Sequence, residues 1–520
     1  MPLVPGARAL AWSGVGDRII GGALRPRSEE CDILTAPRPC VPFIHIMEGC
    51  PMKHQTNKAV STARAKKRLS KHLEQVNLYA AGIDVGSQNH YVAVAEGLDD
   101  EPVRSFSCFT GDLQRMAEWL VEIGIQTVVM ESTGVYWIPV FELLEEHGLE
   151  VLLVNARHVK HVSGRKSDVS DCQWLQQLHT YGLLEGAFRP PEQVVALRAY
   201  LRQRGNLVRY AGSHIQHMQK ALRQMNLLLD NVVSDVTGKT GMQIIRAILA
   251  GERNPHKLAQ FRDPRCKKSK SMIAKSLEGH YRDEHLFSLL QAVELYDVYQ
   301  EKLRACDAAI ERQLDAFDAQ ADPHDLPPRS GKKKAVKNRP AFDVRGKLYR
   351  MTGVDLTRID GIDETTALKV ISEIGTDMSR WKTEKHFASW LGLSPGNKVS
   401  GGKVLNSKTK PSANRAAAAL RMSAFTLTHS KSALGAYCRR MRARLGASKA
   451  ITATAHKLAR LIYSMLKHGT KYVDQGQDYY EQQYRDRAVK ALQKRAAQLG
   501  FSLISRPSET DILVPKISMG

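Results

Sequence analysis

No Cys-x-x-Cys pair occurs in this chain of 520 residues, and its eight cysteines lie scattered. That argues against a zinc knuckle and against a disulfide framework, and it fits a reducing cytoplasm. No apolar run approaches the length of a bilayer span, so no membrane partner is expected. The first 50 residues are rich in Gly, Pro and Arg, and they lack both sustained periodicity and the compact apolar core of a secretory signal. They read as a disordered extension, with Met47 and Met52 as alternative starts. The most informative absence lies near the other end. From Lys385 to Val473 there are 17 Lys or Arg and no Asp or Glu. A solvated helical face normally mixes both signs. A long span with none of one sign is the footprint of a polyanion, and nucleic acid is the commonest.

What is present agrees. The whole chain carries a formal net charge of +23 and an ordinary 43% of hydrophobic residues. Its length allows two or three domains. Lys53, Lys58, Arg64, Lys66, Lys67, Arg68 and Lys71 form a basic stretch, read as a solvated helix or tail or as a nucleic-acid arm. With the extension it makes up residues 1–75.

Residues 76–190 alternate strands and helices. Strands are expected over 78–85, 90–95, 103–109, 127–131 and 150–155, and helices over 112–123 and 140–147. Two of these strands carry a carboxylate at their carboxyl end, Asp84 and Glu131. In an open α/β layer, ligands gather beyond the carboxyl ends of the strands. A buried strand that delivers an acid to its tip and turns straight back suits the first hairpin of an RNase H-like sheet. Two further acids, Asp168 and Asp171, are three apart, a spacing that puts both on one face of a helix. Four convergent carboxylates can bind two Mg²⁺ ions about 3.5–4 Å apart, and oxygen-only ligands favour Mg²⁺ or Mn²⁺ over zinc. Singly, Asp84 also suits a turn, Glu131 a strand end, and Asp168 or Asp171 a helix cap. Lys160, Arg165 and Lys166 lead into the acidic pair, where a phosphate backbone could be held.

Beyond Pro190-Pro191, residues 191–342 carry two long apolar stripes, from Val194 to Leu229 and from Leu289 to Leu314. They read as an antiparallel or intermolecular coiled coil, or as a plain helical bundle, followed by a basic linker with Lys332-Lys333-Lys334. In residues 343–475, Arg358–Ala367 has the form of a helix-hairpin-helix element, serving either phosphate contact or structure alone. Within the acid-free span lies Leu393-Ser394-Pro395-Gly396-Asn397-Lys398-Val399-Ser400-Gly401-Gly402-Lys403, read as a Gly-rich loop that exposes a hydroxyl. On chemistry alone Ser394, Ser407 and Ser412 rival Ser400, and no histidine lies close in sequence to act as base. Residues 476–520 read as a charged helical tail without a role.

Gly82-Ile83-Asp84, Glu131-Ser132-Thr133-Gly134-Val135-Tyr136 and Arg165-Lys166-Ser167-Asp168-Val169-Ser170-Asp171 resemble the DEDD-type insertion-sequence transposases, which join a RuvC-like amino-terminal domain to a serine-bearing carboxyl-terminal one. Leu393-Ser394-Pro395, Ser400-Gly401 and Asn414-Arg415 resemble the second part of that family. The resemblance implies an α/β plus α protein, with a RuvC-like mixed sheet domain, a coiled-coil spacer and a mostly helical serine domain. It implies that Asp84, Glu131, Asp168 and Asp171 are a metal-binding tetrad and Ser400 the nucleophile. It further implies donor and target DNA as substrates, a dimer or tetramer, and a structured noncoding RNA that selects the DNA by base pairing. The expected activity is a bridge-RNA-guided DNA recombinase acting at the nucleoid. The competing readings are a junction endonuclease that uses water, and a non-catalytic nucleic-acid-binding protein.

Overall fold

The computed structural model describes residues 74–132, 134–155, 167–328 and 337–504. The basic stretch Lys53–Lys71, the residues Lys160, Arg165 and Lys166, and the run Lys332–Lys334 lie outside them.

The amino-terminal part is a mixed five-stranded sheet in the order β3-β2-β1-β4-β5. Its strands are β1 (Ala80–Val85), β2 (Asn89–Ala93), β3 (Val103–Ser107), β4 (Thr127–Glu131) and β5 (Glu150–Val154). Strands β1, β2 and β3 pair antiparallel, while β1, β4 and β5 pair parallel. The tight return from β1 needs Gly86, where a Cβ would stand 2.4 Å from the Asn89 carbonyl oxygen. Strand alternation sorts the side chains between two faces. Ala81, Ile83, Val85, Val128 and Met130 pack on one face with helices α1 (Thr110–Glu122) and α2 (Trp137–Glu146). Each large apolar side chain buried there contributes roughly 1.5–3 kcal/mol. The opposite face is covered by α3 (Asp168–Thr180), whose Leu175 packs with Val129 and Val154.

Pro191 caps the next helix, α4 (Glu192–Gln224). Helix α5 (Lys239–Leu249) and the short α6 (Pro255–Leu258) and α7 (Lys270–Lys275) follow, then α8 (Asp283–Asp315). The two 33-residue helices, each about 50 Å long, pair antiparallel within the one chain. Gln313, near the end of α8, donates to the carbonyl of Gln193, near the start of α4, at 3.1 Å. Farther along, Arg204 pairs with Asp307, both buried. At the far tip Met218 and Leu222 share a core with Leu289, Val293 and the connecting helices. At the near end Val194, Leu197, Leu303, Ile310 and Leu314 belong to the core of the carboxyl-terminal part.

That part consists of α9 (Val344–Thr352), α10 (Glu364–Ile374), α11 (Glu384–Trp390), a hairpin of β6 (Lys398–Ser400) and β7 (Lys403–Asn406), α12 (Arg415–Thr426), α13 (Ala433–Leu445), α14 (Ala447–His468) and α15 (Gly476–Gln498). The Gly361 turn before α10 is a packing element. Ile359 and Ile362 are buried, a Cβ on Gly361 would press on Leu427 and Ser423, and Asp363 already accepts the Thr366 amide. Of the two readings of that hairpin, the structural one accounts for these contacts. Phe188, just past the sheet, packs on Trp381 and Trp390 with ring centroids 5.0 and 5.1 Å apart. Among the described residues no helix is long and apolar enough to cross a membrane.

Candidate active site

Helix α3 lies directly on β1, and Gly82 is what allows it. A Cβ on Gly82 would stand 2.4 Å from the Gln176 amide nitrogen and 2.5 Å from the Cys172 carbonyl oxygen. Backbone rests on backbone, so any side chain at this position pushes the helix off the sheet. The direction of α3 follows from its ends. Val76 and Asn77 donate to the Thr180 carbonyl at 2.8 and 3.0 Å, and Thr127 Oγ1 lies 2.9 Å from His179 Nε2. The carboxyl end of α3 therefore sits at the start of β1 and β4. Its amino end, with Asp168 and Asp171 in the first turn, sits at the carboxyl ends of those strands.

Register brings the other two acids to the same place. Gly82 pairs with Val129 and Ile83 with Met130, so the next step sets Asp84 beside Glu131 on neighbouring parallel strands, about 4.8 Å apart. By alternation both lie on the face of Gly82 and Val129, which is the face α3 covers. Cys172 reports the same convergence electrically. Burial, with the negative charges of Asp84 and Asp171 adding to it, pushes its thiol up to about 12. Asp84, Glu131 and Asp171 are half-buried and Asp168 is exposed. Neither aspartate of α3 is the helix cap. Ser167 takes that role, accepting the Ser170 amide at 3.3 Å while Ser170 Oγ accepts the Ser167 amide at 3.1 Å.

The four carboxylates are gathered on one face at one edge but not drawn together. Among the described residues no group of three or more His, Cys, Asp or Glu stands close enough to hold a metal ion. The donor set itself, oxygen only, suits Mg²⁺ or Mn²⁺.

Ser400 stands elsewhere, at the end of β6, on a two-stranded hairpin whose residues are all exposed. The expected loop is thus a β-hairpin. Gly401 and Gly402 take φ of +54° and +75°, the left-handed pair that closes a two-residue hairpin with the right twist. A Cβ on either would meet nothing within 4 Å, so the approach to Ser400 is open. Its rival Ser412 has another task, accepting the Asn414 amide at 3.2 Å and packing against Gly392. The hairpin also supplies a residue that the search for a histidine missed. Lys403 is the cross-strand partner of Ser400, so the two side chains share a face with Cβ atoms about 4.5–5.5 Å apart. The signal was the Gly-Gly pair between them.

Two comparisons bear on this arrangement. A DEDD-type transposase family model matches residues 81–227, which hold Asp84, Glu131, Asp168 and Asp171. A second, described as the transposase IS116/IS110/IS902 family, matches residues 355–439, which hold Ser400. No curated protein matches the chain. Two matches in the order found here, one on the sheet with its covering helix and one on the serine hairpin with the helices around it, place the chain in the IS110 family of transposases.

Proposed function

We propose that the chain is a DNA recombinase that moves an insertion element by cutting and rejoining strands with a serine nucleophile beside a Mg²⁺-binding tetrad. One observation carries the reading: the close contact at Gly82 lays α3 so that Asp168 and Asp171 share an edge with Asp84 and Glu131. The strand order, with an antiparallel hairpin followed by parallel strands, supports an RNase H or RuvC-like sheet. Mg²⁺ held by Asp84, Glu131, Asp168 and Asp171 would draw charge from the scissile phosphate. Ser400 Oγ attacks the phosphorus, the bond to the leaving strand's oxygen breaks, and that strand end takes up the proton. The phosphoserine ester that remains conserves the bond, so the strand can be passed to a new end without ATP. The Lys403 ammonium, on the same face of the hairpin, stabilises the hydroxyl as it loses its proton.

Carboxylates and serine come from different parts of the chain, and the hairpin is exposed throughout. We read the active site as composite, closed by a second copy in a dimer or tetramer. A noncoding RNA that selects donor and target DNA by pairing suits a chain whose charge addresses backbones. The test is to incubate the protein with end-labelled junction DNA, its RNA and Mg²⁺, and run a denaturing gel. A covalent protein–DNA adduct is expected, lost in Ser400→Ala, with cleavage lost but binding kept in Asp84→Ala or Glu131→Ala. Free cut ends from Ser400→Ala would mean that water attacks and the serine is structural. Undiminished cleavage by Asp84→Ala and Glu131→Ala would remove the tetrad from the mechanism.

A further inference from the structure

Helix α15, the tail to which the sequence assigned no role, is joined to the body by an unusual set of contacts. It has no buried residue. Its Tyr480 meets Tyr437 of α13 edge-on, with ring centroids 6.3 Å apart. The Arg440 guanidinium sits 3.3 Å from the Tyr484 ring centroid and 6.0 Å from that of Tyr480. The Lys457 ammonium, from α14, sits 4.7 Å from the Tyr437 ring and 5.9 Å from that of Tyr480. The seam between α13, α14 and α15 is thus made of cations laid on tyrosine faces.

The charge around it is one-sided. Burial lowers the Lys457 ammonium below its ordinary value, and the positive charges of Arg460 and Arg487 lower it further. Arg440, Arg487 and Arg444 all act on Tyr480, and Arg444 and Arg460 on Tyr437. Arg440 and Lys457 thus lie on the rings, and the charges of Arg444, Arg460 and Arg487 reach them. Arg460 has a carboxylate partner, Glu384 at 2.9 Å. Among the described residues Arg440, Arg444, Lys457 and Arg487 have none, and the buried Nε of Arg440 has no hydrogen-bond partner. Like charges repel, most strongly at the part-buried Lys457, and tyrosine faces offset that only weakly. An anion placed there would relieve the repulsion and offer Arg440 Nε a partner. Tyr484 remains exposed at the seam, a ring with a second face on which a base can stack.

We propose that the α13–α14–α15 seam is a binding site for a phosphodiester backbone, with Arg440, Lys457 and Arg487 on its phosphates. The site lies almost wholly past residue 439, beyond both family matches, and it does not depend on the chemistry of Ser400 or of the carboxylates. Duplex DNA and RNA offer the same phosphates, so the experiment has an arm for each. Full-length protein is titrated by fluorescence anisotropy against a labelled duplex and against a labelled single-stranded RNA, at several salt concentrations. The variants are Arg487→Gln, the pair Arg440→Gln with Lys457→Gln, and the charge-keeping Lys457→Arg. The slope of log Kd against log salt should fall by about one for each cation removed, and Kd should rise several-fold, while Lys457→Arg binds like the parent. Loss with the duplex alone assigns the site to DNA, and loss with RNA alone assigns it to the RNA. Should the double variant unfold, Arg487→Gln decides, because Arg487 is exposed on a helix that buries nothing. Unchanged slopes for both nucleic acids in Arg487→Gln would overturn the proposal and leave the seam as a helix clasp.

Discussion

Asp84 stands one residue before the end of its β-strand and Ser400 ends another, yet the two strands are held in opposite ways. Strand β1 is central in a five-stranded sheet, with a helix resting on its backbone at Gly82. Strand β6 has one ladder neighbour, β7, and both are exposed along their length. An isolated two-stranded hairpin is marginally stable in water. Val399, Val404 and Leu405 even leave apolar surface on it exposed. The lesson is a division of labour. Under the proposed function the carboxylate edge is prepared by folding, while the serine is presented on an exposed two-stranded arm.

The comparison can be broken most decisively at the two proposed reacting groups. Ser400→Ala and Asp84→Ala should each lower strand cleavage on the order of 10³-fold or more, measured in the gel assay, with unchanged unfolding temperature for Ser400→Ala. Next come the two glycine positions, which should part company. Gly82→Val forces α3 off β1; it should cost roughly 1–3 kcal/mol of stability and abolish cleavage, read by thermal unfolding and by the same gel. Gly402→Val strains only a left-handed turn position in an exposed hairpin, at about 1–2 kcal/mol locally. It should leave the global unfolding temperature unmoved while adduct formation falls. Equal loss of stability in both would refute the contrast.

Two smaller effects sharpen it. Lys403→Gln should slow adduct formation by roughly 10–100-fold, with partial recovery in Lys403→Arg and no change in DNA affinity at saturating protein. A rate equal to the parent's would show that the cross-strand ammonium plays no part. Ser167→Ala removes the cap of α3 and should cost about 1 kcal/mol. Its mark is a small drop in unfolding temperature with a modest loss of cleavage, because Asp168 and Asp171 sit in the turn that frays.

Much of this was readable in advance, and the failures are local. The expected strands over 78–85, 90–95, 103–109 and 150–155 appear as Ala80–Val85, Asn89–Ala93, Val103–Ser107 and Glu150–Val154. The apolar stripe from Leu289 to Leu314 lies on the helix Asp283–Asp315, paired antiparallel within the chain. Helix α14 starts at Ala447, where Ala450 and Thr454 are small residues buried by tertiary packing and leave no apolar period to read. In the sequence the β6–β7 hairpin reads as a loop, because its strands are three and four residues long and its glycines suggest flexibility. The tail helix shows only charge and tyrosines, and nothing in its own sequence says which face they serve.

The sequence alone determined the alternation that ends two strands in acids, the i,i+3 pair that follows, and a long stretch free of negative charge. These are properties of neighbours along the chain, where pleat and helix periods apply. Only the tertiary structure decided that α3 runs back along β1 with its acids at the strand tips. It also decided that Ser400 stands on an exposed hairpin across from Lys403, and that Arg440 and Lys457 are laid on the faces of Tyr437, Tyr480 and Tyr484. Each of these depends on groups brought together by packing or strand register, and hydrophobic periodicity carries no record of that.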